Sequence, residues 1–145
     1  KDAVLVSHIN QSQHVSKAVD RMREMGVRQA CESLVHHRPW GTFEILTENI
    51  GFKVKRIIVS PGGTLSLQSH KKRAEHWVVV KGNATVEIDK KVFTLIANES
   101  IYIPTGSIHR LANDTEEFVE IIEVQTGSYL GEDDIQRYDD IYDRG

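Results

Sequence analysis

With 145 residues, 39% of them hydrophobic and 27% charged, the chain has the length of one domain and enough apolar material for one core. A net charge of -3 excludes the basic footprint expected of a nucleic-acid binder. No apolar run approaches the ~18 residues of a membrane span, and no charged start leads into a secretory h-region, so a cytoplasmic protein without a membrane partner is expected.

The first apolar run, Ala3-Val4-Leu5-Val6, predicts a short strand. Val15, Ala18, Val19, Met22 and Met25 then recur on one stripe of a 3.6-residue period and predict a helix. Asn10 or Ser12 would cap its start, and Gly26 would end it. One strand and one helix cannot bury both of their faces, so this piece reads as the tail of something larger or a lid. Residues 27–38 are polar and carry His36, His37 and Arg38 before Pro39, which predicts a linker. Cys31, the single cysteine, rules out an internal disulfide, fits a reducing compartment and reads as a plain small residue. The expected division is therefore an N-terminal extension over 1–37 and a main domain over 38–145.

From Phe43 the texture changes to segments rich in Val, Ile, Thr, Phe and Tyr, punctuated by Gly, Asn, Asp and Pro. Strands are predicted over 43–47, 52–60, 64–69, 75–81, 83–89, 91–96, 100–103, 108–112 and 117–125, a spacing that argues for an all-β sandwich or barrel. Gly82-Asn83 and Asp89-Lys90 are predicted hairpin turns. Residues 131–145 are acidic, with Ile135, Tyr138, Ile141 and Tyr142 as anchors, and their pattern assigns neither helix nor strand.

Chemistry concentrates in two stretches. Gly62, Gln68, His70, Glu75 and Gly82 read G-x5-Q-x-H-x4-E-x6-G, and Pro104, Gly106, His109 and Asn113 read P-x-G-x2-H-x3-N. Gln68 and His70 are two apart on a strand and so share a face. Glu75 can return on the next strand after the Lys71–Ala74 loop, and His109 closes the site from a later one. Imidazole, carboxylate and amide oxygen together suit Zn, Mn, Co, Fe or Ni. One carboxylate with three neutral ligands leaves a dication near +1, which favours an anionic or oxygen-rich ligand. His8, His14, His36, His37 and His76 have no such context and are assigned structural roles.

The paired stretches resemble the two motifs of the cupins, with Gln68 where most cupins carry a first histidine and Asn98 where the second motif usually begins with Gly. The resemblance implies a double-stranded β-helix, a jelly-roll barrel, holding one divalent metal ion on Gln68, His70, Glu75 and His109. Zinc is the first choice, with manganese or cobalt as alternatives.

A closer likeness lies in Leu65-Ser-Leu-Gln-Ser-His70, Arg73-Ala-Glu-His-Trp-Val-Val-Val80, Arg38-Pro-Trp-Gly41, Val54-Lys-Arg56, Tyr102-Ile-Pro104, His109-Arg110, Ile122-Glu-Val-Gln125 and Tyr129-Leu-Gly-Glu-Asp-Asp-Ile135. Together these resemble the C-terminal domain of type II mannose-6-phosphate isomerases, in which a mannose-1-phosphate guanylyltransferase domain usually lies upstream. Asp2-Ala-Val-Leu-Val6 and the following helix resemble the end of that transferase domain. The implied reaction interconverts mannose 6-phosphate and fructose 6-phosphate, a step in GDP-mannose and polysaccharide precursor synthesis. The implied partners are a sugar phosphate and that upstream domain. Lys71 and Lys72 stand where family members often show histidines, which touches substrate detail but not the expected ligands.

Likeness to the type I isomerases places Ser66 near the sugar phosphate and Arg73 as a catalytic and substrate-binding residue. A guanidinium also suits a phosphate or developing oxyanion on chemical grounds. Arg110 joins them as a substrate-binding candidate, with Lys55 and Arg56 as weaker ones, of which only one can face inward. Trp40 and Trp77 read as core. The general base stays open between Glu123 and a metal-bound hydroxide. The alternative function is a catalytically silent cupin serving assembly or regulation of a guanylyltransferase. An iron dioxygenase is a distant third that Gln68 argues against. No Gly-rich phosphate loop precedes a helix, so nucleotidyl transfer is not expected of these residues themselves. Exposed sheet edges predict a homodimer.

Overall fold

The computed structural model describes residues 5–27, 30 and 35–139. The chain divides into two compact units, Lys1–Leu34 and Val35–Gly145. In the first, a 3-10 helix over Ile9–His14 runs directly into α1, Val15–Glu24. The predicted helix is therefore present, but its start is not capped by Asn10 or Ser12. Val15 N–H already donates to the Ser12 carbonyl, and His8 is the residue whose ring accepts from the Asn10 amide. Gly26, at φ +68, ends the helix as expected. Leu5 and Val6 are exposed and not in a strand, while Ala3, Val4 and Cys31 lie outside the described residues. No helix among the described residues is long and apolar enough to cross a membrane.

The second unit is all β. Its strands are β1 Val35–Arg38, β2 Gly41–Asn49, β3 Phe52–Val59, β4 Leu67–His70, β5 Arg73–Lys81, β6 Ala84–Ile88, β7 Lys91–Leu95, β8 Ser100–Ile103, β9 His109–Ala112, β10 Val119–Gly127 and β11 Ile135–Asp139. They form a six-stranded sheet in the order β1-β2-β3-β10-β5-β8 and a five-stranded sheet in the order β11-β4-β9-β6-β7. All pairings between named strands are antiparallel.

Each of the nine predicted strands of this unit is present. The linker over 27–38 needs correction, because its last four residues form β1, an edge strand paired with β2. The unassigned acidic stretch contains β11, paired with β4 on the opposite edge; Ile141 and Tyr142 lie outside the described residues. Asp89-Lys90 is the hairpin turn expected, with both residues at positive φ, the geometry that matches strand twist. Gly82-Asn83 is not a hairpin: β5 belongs to one sheet and β6 to the other, so this turn carries the chain across the barrel.

Three neighbouring strands share one inward pattern. On β3 the buried side chains are Lys53, Lys55, Ile57 and Val59; on β10 they are Val119, Ile121, Glu123 and Gln125; on β5 they are Arg73, Glu75, Trp77 and Val79, with Ala74 also buried. Register aligns them, with Ile121 between Ile57 and Val79, Glu123 between Lys55 and Trp77, and Gln125 between Lys53 and Glu75. The interior is thus apolar at one end, where Val59, Val79, Val86, Leu111, Val119 and Ile121 form the core, and charged at the other. A folded chain buries charge only where partners compensate it, so the polar end is where function is expected.

Candidate metal centre

His70 ends β4, Glu75 lies on β5 and His109 opens β9. One ligand atom from each comes within 4.8 Å of the others, and all three side chains are buried. His70 Nε2 is 3.1 Å from Glu75 Oε1, and His109 Nε2 is 3.6 Å from Glu75 Oε2. Among the described residues, neither ring nitrogen of His70 nor Nε2 of His109 has a hydrogen-bond partner. Buried imidazole nitrogens are normally satisfied, so donors converging on a carboxylate with unused lone pairs fit a divalent cation. His109 Nδ1 lies 2.9 Å from the Ser107 carbonyl, which fixes the proton there and turns the Nε2 lone pair to the cluster. Burial opposes the charge on Glu75, but the imidazoles of His109 and His70 outweigh it and hold the carboxyl well below the usual range.

Glu75 is held from behind. Arg73 Nε donates to its Oε1 at 3.1 Å, Gln125 Nε2 donates to the same oxygen at 3.2 Å, and Trp77 Nε1 donates to Oε2 at 3.1 Å. Trp77 Nε1 also reaches Glu123 Oε2 at 3.1 Å, and Gln125 Nε2 reaches Glu123 Oε1 at 2.7 Å. Burial and the nearby charge of Glu75 push the Glu123 carboxyl up to about 8, against the pull of Lys55 and Arg73. The Trp77 ring also meets the His109 ring edge-on, with centroids 5.5 Å apart.

The expected residues divide. His70, Glu75 and His109 converge. Gln68 stands directly opposite His109 across the β4–β9 pair and accepts from Ser66 Oγ at 3.0 Å. Ser66 is buried, and both line a pocket with Arg38, Lys55, Glu132 and Arg137. Arg73 is 2% exposed and spends Nε on Glu75 and Nη1 on the Gly131 carbonyl at 3.0 Å. It lies behind a ligand carboxylate with both groups committed and does not project into the pocket as an open substrate contact. Arg110 is not brought to the cluster. It alternates with the buried His109 and Leu111, so it points away from them and pairs with Glu87 at 3.2 Å and Asp139 at 3.1 Å. Of the adjacent pair on β3, Lys55 turns in and Arg56 turns out to Glu120 at 2.7 Å.

Sequence reasoning ranked Lys55 low and read Trp77 as core packing alone; Trp77 is core and also a donor to two carboxylates. Gln125, Glu132, Arg38 and Arg137 were not singled out as site residues. The available signal was the alternation Lys53-x-Lys55 and Glu123-x-Gln125, polar residues on the face that continues the core of the same strands.

Two antiparallel sheets around a buried His–Glu–His cluster able to hold a metal ion define a cupin barrel. The same fold occurs in KdgF from Halomonas sp., at a TM-score of 0.61 and 15% identity over 68% of this chain and 88% of that one. It occurs also in a Cupin 2 conserved barrel domain protein from Salinispora arenicola, at a TM-score of 0.54 and 24% identity over 59% of this chain and 75% of that one. The family model for the mannose-6-phosphate isomerase C-terminal domain matches residues 25–140, and the chain belongs to that family. It is 49% identical over 144 residues to the alginate biosynthesis protein AlgA of Pseudomonas syringae. It is 48% identical over 143 residues to the xanthan biosynthesis protein XanB of Xanthomonas campestris and 45% identical over 144 to a mannose-1-phosphate guanylyltransferase of Escherichia coli. These matches cover 99% of this chain, which spans only about 30% of the length of the relatives.

Proposed function

We propose that this chain is a metal-dependent aldose–ketose isomerase domain acting on mannose 6-phosphate and fructose 6-phosphate. In this reading it serves GDP-mannose and polysaccharide precursor synthesis within a longer chain that also carries a mannose-1-phosphate guanylyltransferase domain. The family supports the reaction, and the relatives' names support the setting. The observation that carries the reading is the buried His70–Glu75–His109 cluster, with Gln68 linking it to a pocket lined by cations.

His70, Glu75, His109 and Gln68 would hold a divalent ion, zinc first and manganese or cobalt as alternatives. When bound, such an ion supplies positive charge to sugar oxygens that become more negative as the proton leaves carbon. The chain's own residues prepare the rest. Arg73, Gln125 and Trp77 fix both oxygens of Glu75, which makes them positioning residues. Ser66 orients the Gln68 amide through its oxygen. Glu123, beside the cluster and outside the ligand set, is held by Trp77 and Gln125; with its carboxyl pushed up to about 8 it carries a proton near neutral pH and becomes a base only toward alkaline pH.

A second reading, a silent domain serving a guanylyltransferase, is favoured by one observation: the Escherichia coli relative is named for nucleotidyl transfer alone. Proton NMR of mannose 6-phosphate incubated with the metal-loaded chain separates the two. Growth of fructose 6-phosphate signals supports the isomerase, and an unchanged spectrum supports the silent domain.

A further inference from the structure

The isomerase reading needs a seat for the substrate phosphate; of the residues first expected near it, Ser66 lines a pocket, while Arg73 and Arg110 are paired elsewhere. Arg110 is on the outside, and Arg73 is committed to Glu75 and Gly131. The pocket that contains Ser66 and Gln68 holds three other cations, Arg38, Lys55 and Arg137, and one carboxylate, Glu132. We propose that these three cations form an anion seat for the phosphate of a sugar phosphate, and that Glu132 is an internal anion which occupies Lys55 until a phosphate displaces it. The identity of the substrate rests on the isomerase reading; the seat itself does not.

Lys55 is 6% exposed, and a buried ammonium needs a counter-ion. Glu132 provides one at 2.7 Å, yet its own side chain is 51% exposed. Lys55 also has the buried Glu123 Oε1 at 4.0 Å, so its charge keeps a carboxyl neighbour when the half-exposed Glu132 gives way to another anion. Arg137 makes no side-chain hydrogen bond or ion pair among the described residues. Among the described residues, Arg38 hydrogen-bonds the neighbouring His37 carbonyl at 3.0 Å and lies 5.2 Å from the centroid of Phe43. Lys55 Nζ lies 4.8 Å from the same ring. Cations gathered around one pocket from both sheets repel, and a multivalent anion relieves that repulsion. Two guanidinium forks and an ammonium match phosphate oxygens. Three cations against Glu132 leave two formal positive charges, the complement of a phosphate monoester of about -1.5 to -2.

Register places this seat relative to the cluster. Arg137 pairs with Gln68 across β11–β4, and Gln68 pairs with His109 across β4–β9. At roughly 4.8 Å per strand spacing, Arg137 and His109 lie about 10 Å apart at their backbones with Gln68 between them. A ligand held by its phosphate at Arg137 would reach the centre along that row.

The test is calorimetric titration of the full metal-loaded chain with inorganic phosphate, mannose 6-phosphate and mannose. The variants are Arg137→Ala, Glu132→Gln and Arg110→Ala, with circular dichroism to confirm that each folds. Arg137→Ala should weaken both phosphate ligands about tenfold or more, the value of a charged hydrogen bond lost. Glu132→Gln should tighten them severalfold, mannose should bind far more weakly than its phosphate, and Arg110→Ala should match the parent. Unchanged affinity in Arg137→Ala, weakened affinity in Glu132→Gln, or no phosphate binding by the parent chain would each overturn the seat. Phosphate binding that responds to these variants without any turnover would reject the isomerase reading and leave the seat standing. Turnover with affinities blind to the variants would do the reverse.

Discussion

Arg73 Nε donates to Glu75 Oε1 at 3.1 Å from two residues upstream on the same strand, and neither side chain is more than 2% exposed. The pair is short, buried and set behind the cluster, so removing the guanidinium takes the Arg73 charge away from a buried carboxylate. Arg73→Met should cost about 3–5 kcal/mol, the penalty for an uncompensated buried charge. Urea unfolding of the metal-free chain measures this, and a loss under about 1 kcal/mol would contradict the arrangement.

Metal binding should be visible as stability. Ligand at a hundredfold above Kd adds about 2.7 kcal/mol to a folded state that alone binds it. Zinc added to the chelated chain should therefore raise Tm by several degrees, and a chelator should reverse the rise. His109→Ala removes one of the converging donors and should abolish the shift. A shift of equal size in that variant would mean that the metal binds elsewhere.

Gly41, the first residue of β2, has φ +144, and a Cβ there would fall onto the Ile58 carbonyl oxygen of the neighbouring strand. Gly41→Ala should destabilise the barrel by about 1–3 kcal/mol. The denaturation midpoint reads the effect, and an unchanged midpoint would show that the backbone yields there freely.

Arg110 sits outside the barrel on Glu87 and Asp139, partly exposed. Arg110→Ala should leave the KM for mannose 6-phosphate unchanged and shift stability by no more than about 1 kcal/mol. A large rise in KM would return Arg110 to the substrate side.

Much of this was legible because burial and spacing coincide. Gln68 and His70 share a face for the elementary reason that strand side chains alternate, and Glu75 and His109 follow at the motif spacing. The strands from β2 to β10 were readable from β-branched runs between turn residues. Val35-His36-His37-Arg38 was hidden because β1 is an edge strand with little of its surface buried, so it needs no apolar alternation. The exposed β11 escaped for the same reason. Lys53 and Lys55 were hard to place for a different reason. Polar residues at alternate positions normally face water, but here the charged interior of the barrel reverses the rule halfway along β3. Arg110 follows His109 directly, and adjacent residues of a strand face opposite sides, so it pairs with Glu87 and Asp139 and not with the cluster.

The proposed reaction of the cluster is sugar-phosphate isomerisation through a bound metal. Coupled conversion of mannose 6-phosphate to fructose 6-phosphate tests it most directly, using chelated chain with zinc, manganese or cobalt restored singly, beside Gln68→Ala and His109→Ala. Turnover should disappear on chelation, return with metal and be lost or reduced at least about tenfold in both variants. Turnover indifferent to chelation and to both substitutions, or none from folded, metal-loaded chain and from the longer parent protein alike, would contradict it.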